Sequence, residues 1–164
     1  MFGMDICEDR DEYWMYRAIS MAEKARNRGE VPVGAIVVAN GVLQGEGWNC
    51  PIGLSDPTAH AEIQAIRDAS VKIGNYRLVG CELYTTMEPC LMCVGAILHA
   101  RLDRVVFGAR DPKAGCVLSV HRLFEDPVLP YRVAFRGDVL APICVELLQA
   151  FFRERRAILR NLSR

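Results

Sequence analysis

The chain has no apolar run approaching about eighteen residues, so no membrane-spanning helix is expected. Its first nine residues lack both the basic stretch and the apolar stretch of a secretory signal, which points to a cytoplasmic protein. There is no excess of either charge, with twenty basic and twenty acidic residues, so charge balance alone gives no argument for nucleic acid. A disulfide framework is argued against as well, because seven cysteines are an odd number in an unexported chain. No internal repeat, low-complexity tract or linker interrupts the 164 residues. Their length and half-apolar composition suit one soluble domain spanning 1–164, with a core over about 10–160.

What the sequence does contain is one close cysteine pair, Cys90 and Cys93. The scattered Cys7, Cys50, Cys81, Cys116 and Cys144 read as small buried hydrophobes. Apolar residues at three- and four-residue steps (Met15, Ala18, Ile19, Ala22, Ala25) predict a helix over 9–27, ended by Gly29. Two strands over 33–39 and 42–48 flank Asn40-Gly41, a strong hairpin signal because both residues tolerate positive φ. Residues 49–57 read as loop, and Asp56-Pro57 as the cap and first position of a helix running to about 69. A strand over 82–86, a helix from Pro89 to 100, strands over 104–109 and 131–135 and a closing helix over 140–162 complete the chain. This order implies a central sheet with helices on its faces. The helix over 89–100 carries no charge before His99, so it is buried in the fold or against a partner subunit.

The chemistry concentrates in His60-Ala61-Glu62 and Pro89-Cys90-Leu91-Met92-Cys93. A Cys-x-x-Cys pair alone fits redox chemistry, half of a structural zinc site, or catalysis, and a lone His-Ala-Glu is usually just a helix start. Together His60, Cys90 and Cys93 give three zinc ligands, whereas structural sites nearly always use four. Three ligands leave a position for water. Both segments open helices, whose positive ends favour thiolate. Glu62 suits a proton shuttle beside that open position, since as a fourth ligand it would close the site.

The pattern His60-Ala61-Glu62 with Pro89-Cys90-x-x-Cys93 resembles the signature of the zinc nucleobase deaminases. Further segments resemble the bacterial tRNA-specific adenosine deaminases in particular. These are Glu30-Val31-Pro32-Val33-Gly34-Ala35, Gly47-Trp48-Asn49, Asp56-Pro57-Thr58-Ala59, Glu88-Pro89, residues 107–115 and Phe151-Phe152-Arg153-x-Arg155-Arg156. The resemblance implies a three-layer α/β/α cytidine-deaminase-like fold with a central mixed sheet of about five strands, acting as a homodimer. It implies hydrolytic conversion of the wobble adenosine of a tRNA anticodon, most often an arginine tRNA, to inosine. It implies that His60, Cys90 and Cys93 bind one zinc ion and that Glu62 shuttles the proton. It also implies that Asn49 bonds the flipped base, with further nucleotide contacts at Asp111, Phe152 and Arg153. One departure is Cys116-Val117-Leu118, where the family continues with small residues, and it bears on the geometry of that loop.

Read without the resemblance, the argument for RNA is the crowding of Arg153, Arg155, Arg156, Arg160 and Arg164 beside Phe151 and Phe152. Arginine for phosphate and an aromatic for stacking suit a splayed-out RNA loop, but an amphipathic closing helix has the same composition. The zinc motif does not separate a tRNA deaminase from one acting on guanine, cytidine or a pterin-like base. The arginine-rich helix and the 107–115 loop favour tRNA. A non-enzymatic zinc or redox-linked binding protein would have no use for Glu62.

Overall fold

The computed structural model describes residues 6–129 and 131–162, with side chains from residue 10 onward. The readings of the Cys7 thiol and of Arg164 fall outside these. Helix α1 (Ile6–Asn27) leads into strands β1 (Gly34–Ala39) and β2 (Val42–Trp48). A one-turn helix α2 (Pro51–Leu54) precedes α3 (Ala61–Ile73) and strand β3 (Cys81–Met87). Helix α4 (Leu91–Ala100), strand β4 (Arg104–Ala109), strand β5 (Ala134–Arg136) and helix α5 (Ala141–Leu162) follow.

The five strands form one mixed sheet in the order β2-β1-β3-β4-β5. β1 runs antiparallel to both β2 and β3, while β3, β4 and β5 are parallel. The period-two alternation of β1 sorts its side chains between two layers. Ala35 and Val37 pack with Ala61, Ala65 and Ile66 of α3 and Val94 and Ile97 of α4. Ile36 and Val38 face Trp14, Met15 and Ala18 of α1, in the cluster that also holds Cys144 of α5. The expected three-layer α/β/α architecture and five-stranded sheet are borne out.

Two local features carry the site, and a third braces the fold. Asn40 and Gly41 both have positive φ, 50° and 71°, as the tight hairpin requires, and they fix the β1–β2 register that pairs Gly34 with Trp48. At Gly47 a Cβ would lie 2.2 Å from the carbonyl oxygen of Ala61. Only glycine lets the end of β2 lie this close to the start of α3, and just beyond it the Cys50 N–H donates to the Ala59 carbonyl at 3.0 Å. At the far end of the sheet Arg104 grips the buried Asp11 through two bonds of 2.8 and 2.7 Å, and Arg136 adds a third at 2.9 Å. Burial alone would raise the Asp11 carboxyl, but these partners hold it below the ordinary range. This network joins α1 to β4 and β5 on the side opposite the cysteines, so it supports the fold rather than the chemistry.

The structure corrects several expectations. Residues 51–54 are helical, with Pro51 in the first turn and the Gly53 N–H donating to Glu30 Oε1 at 2.8 Å. Asp56 is not the cap of α3, because its carboxylate accepts the N–H and hydroxyl of Thr58 in a local turn. The helix begins at Ala61 with His60 as its N-cap, and it runs on to Ile73, where Gly74 closes it at positive φ. Likewise α4 begins at Leu91, with Cys90 as N-cap and Pro89 outside. The last strand is Ala134–Arg136 rather than 131–135. Cys81, Cys116 and Cys144 are buried as expected, but Cys50 is only half-buried.

Candidate metal centre and active site

His60 and Cys90 occupy the same position, the N-cap, on two neighbouring helices. Both have extended backbone, so their side chains project from the helix ends rather than along the helix sides. Cys93 lies one turn into α4 and is fully buried. This brings His60 Nδ1 to 3.7 Å from Cys90 Sγ and 3.6 Å from Cys93 Sγ. All three donor atoms lie within 4.8 Å of one another.

The donor set fits zinc. Tetrahedral bonds of about 2.05 Å to nitrogen and about 2.3 Å to sulfur would hold those atoms about 3.6 Å apart. One of the two thiols is also prepared for a cation. Cys90 is pulled down to about 3 by hydrogen bonds from the Cys93 thiol and from His60. The proton kept on Cys93, raised by that bond to Cys90 and by burial, is one that a cation would displace. His60 is raised by its bond to Cys90.

Glu62 lies in the first turn of α3, 4% exposed, and its carboxylate stands outside the three-donor cluster. Burial pushes it up, opposed by its own backbone N–H and by His60. A carboxylate that readily holds a proton next to an open ligand position is suited to proton transfer. Asn49 follows β2, and its backbone N–H donates to Val33 O at 3.0 Å. Among the described residues no hydrogen bond engages its half-buried side-chain amide.

The other candidate residues lie further out. Asp111 turns its Oδ1 onto the N–H groups of Lys113 and Ala114, which shapes the start of the loop after β4. That loop borders a cleft of about 300 Å³ over Cys90, lined by Leu91, Met92, Lys113, Ala114, Cys116, Val120 and His121. On α5, Phe151 is buried and Phe152 is 44% exposed, and the rings meet edge-on at 5.5 Å. Arg153 is exposed and pairs with Glu146 at 2.6 Å. Arg155 donates to the Gly29 carbonyl and lies over Phe151. Arg28 and Lys24 stack on Trp48, at 4.9 and 5.4 Å from the ring centre, directly before Asn49.

One buried acid within the family-like segments is given no role by the motif reading. Glu88 precedes Pro89-Cys90 and accepts the N–H groups of Asp111, Val117, Leu118 and Ser119, together with the Ser119 hydroxyl. Its signal in the sequence is its place in the segment Glu88-Pro89, which carries the resemblance but does not say what the side chain does. The loop departure at 116–118 is accommodated because the bonds at 117 and 118 come from backbone, not side chains. Cys116 and Val117 turn into the core.

Fold and site together define a metal-dependent hydrolytic deaminase. The chain belongs to the cytidine and deoxycytidylate deaminase family, whose zinc-binding region it matches over residues 8–109. Within that family it is similar to the tRNA-specific adenosine deaminase of Haemophilus influenzae, 46% identical over 162 residues and 93% of each chain. It is also similar to a solved structure from work on A-to-I editing by tRNA:A34 deaminases at the wobble position. There the TM-score is 0.80 and the identity 40%, over 83% of this chain and 99% of that one. A guanine deaminase structure from Bacillus subtilis is 35% identical, with a TM-score of 0.60 over 88% of this chain and 93% of that one. The resemblance to the bacterial tRNA-specific adenosine deaminases is thus borne out.

Proposed function

We propose that this chain deaminates the wobble adenosine, position 34, of a tRNA anticodon loop to inosine, with an arginine tRNA as the expected substrate. The observation that carries the reading is the three-donor cluster of His60, Cys90 and Cys93 with the buried Glu62 beside it, in a chain so similar to tRNA adenosine deaminases. His60, Cys90 and Cys93 would hold one zinc ion, which when bound supplies the Lewis acid that makes water nucleophilic near neutral pH. Glu62 accepts a proton from the attacking water and returns it to the leaving amine. The C6–N6 bond breaks as C6 gains oxygen, so one water enters and one ammonia leaves. Asn49 bonds the edge of the extruded base and turns its exocyclic amine toward the ligand cluster. An anticodon loop already presents unstacked bases, which keeps extrusion cheap.

A guanine deaminase is the second reading, favoured by the Bacillus subtilis structure. The basic surface weighs toward tRNA. Arg153 and Arg156 are exposed on α5, Arg155 joins α5 to the end of α1, and Arg28 there stacks on the Trp48 that precedes Asn49. Incubation with total tRNA followed by sequencing tests the choice. Inosine at position 34 is expected, and deamination of free guanine without any change in tRNA would overturn the reading. In a tRNA-binding titration Arg153→Ala with Arg156→Ala weakens binding about tenfold or more at low salt. The deficit narrows as salt rises, because each lost phosphate contact flattens the salt dependence. Unchanged affinity at low salt would move the RNA surface elsewhere.

The homodimer is supported by α4, whose apolar surface is only half covered. Leu91 is 65% exposed, and Met92, Gly95 and Ala96 beside it are partly exposed, next to the exposed Tyr76. Sedimentation at twice the chain mass is expected, and Leu91→Asp shifts it toward the monomer. A monomeric wild type would count against the dimer. Among the described residues no helix is long and apolar enough to cross a membrane. A single catalytic domain working in the cytoplasm, where tRNA is modified, accords with this.

A further inference from the structure

The buried Glu88 takes no part in the chemistry, yet it receives more hydrogen bonds than any proton-shuttling role needs. Its Oε1 accepts the N–H groups of Val117, Leu118 and Ser119 at 3.1, 2.7 and 2.9 Å. Its Oε2 accepts the Asp111 N–H at 3.0 Å and the Ser119 hydroxyl. The next residue, Pro89, accepts the Cys116 N–H at 2.9 Å. Both ends of the loop over 111–119 are therefore tied to the two residues immediately before the ligand Cys90. Gly115 closes the arrangement, since a Cβ there would lie 2.4 Å from the Glu88 carboxyl carbon and 2.6 Å from the Asp111 carbonyl oxygen. Beyond these bonds the loop reaches the rim of the cleft over Cys90 with Lys113, Val120 and His121.

We propose that Glu88 is a positioning residue for the substrate loop. One carboxylate clamps residues 111–119 to the strand end that carries Cys90, so the rim meeting the nucleotides around the edited base stands at a fixed place relative to the metal ligands. The chemistry of the clamp requires a carboxylate. Four N–H groups and a hydroxyl converge on two oxygens, and anionic acceptors make the stronger bonds. Glutamine at this position would turn an amide N–H₂ toward either three backbone N–H groups or one. Aspartate would fall a methylene short.

The proposal rests on the tRNA deaminase reading for its substrate readout but not for its structural one. The test uses zinc-loaded wild type, Glu88→Gln and Gly115→Ala, the last breaking the same contact from the loop side. Zinc content is measured first and is expected to match wild type in all three. Amide hydrogen exchange should then show lost protection at 111 and 117–119 in both variants, with α4 unchanged. With a tRNA anticodon stem-loop, KM rises about tenfold, the order of one charge-assisted hydrogen bond, and kcat stays within about threefold. Ser119→Ala, which removes one donor of five, has the smaller effect. Retained protection at 117–119 in Glu88→Gln overturns the clamp. Parallel loss of zinc and kcat overturns it too, because Glu88 would then support the ligand Cys90 and not the loop. Should the wild type leave the stem-loop unedited, the tRNA reading falls while hydrogen exchange still decides whether Glu88 holds the loop.

Discussion

Replacing Glu62 with glutamine is expected to leave one zinc per chain and to lower turnover by about a thousandfold or more, the upper part of the range for a lost general acid–base. The expectation follows from position. Glu62 is two residues after the N-cap His60, so it stays beside the ligand end of α3 while its carboxylate remains outside the donor cluster. Glutamine keeps the shape and the burial and can neither take a proton from water nor deliver one to the leaving amine. A thousandfold corresponds to about 4 kcal/mol of barrier, far more than one neutral hydrogen bond contributes to binding. The measurement pairs metal analysis with single-turnover deamination of a tRNA anticodon stem-loop, so that binding and product release do not mask the chemical step. Loss of zinc along with activity would make Glu62 a ligand, and activity within about tenfold of wild type would assign the proton work to another group.

The clustering of His60, Cys90 and Cys93 was legible because its signal is local, a short spacing on each of two helix starts. The sheet was legible for a similar reason, since Asn40-Gly41 fixes one hairpin and the order of elements does the rest. What misled was competition between signals of equal local strength. Asp56-Pro57 has every mark of a helix start, yet Thr58 supplies both an N–H and a hydroxyl to Asp56, and the local turn wins. The difference matters for function. With His60 inside the first turn, residues 60 and 62 would diverge around the helix, whereas at the N-cap the His60 side chain leaves the helix end toward Cys90 and Cys93, with Glu62 in the first turn behind it. The remaining misses depend on distant partners that no window of sequence contains. The turn at Pro51–Leu54 is held by Glu30, over twenty residues earlier, and Glu88 finds its donors in a loop as distant on its other side. Phe151 and Phe152 are one pattern in sequence and two environments in the fold, because only the neighbouring elements decide which ring is covered.

Cys93→Ser is expected to have the largest effect of any single substitution, reducing zinc from about one per chain to a small fraction and abolishing deamination. A hydroxyl is a far poorer zinc ligand than a thiolate, because it does not ionise near neutral pH and is a harder donor. The site has no substitute to offer. Among the described residues the only cluster with metal-ligand spacing is His60, Cys90 and Cys93, so two donors remain. Cys93 is also the buried member of the set, so no solvent-exposed rearrangement restores the geometry. Cys50→Ser is the matched control, the same chemical change in a half-buried cysteine outside the cluster, and it should retain both metal and activity. Metal analysis of the two variants purified in parallel, followed by deamination with and without added zinc, separates a weakened site from a lost one. Recovery of full activity at micromolar zinc would mean that His60 and Cys90 suffice. A Cys93→Ser protein that keeps its zinc and its turnover would move the metal centre away from these three residues altogether.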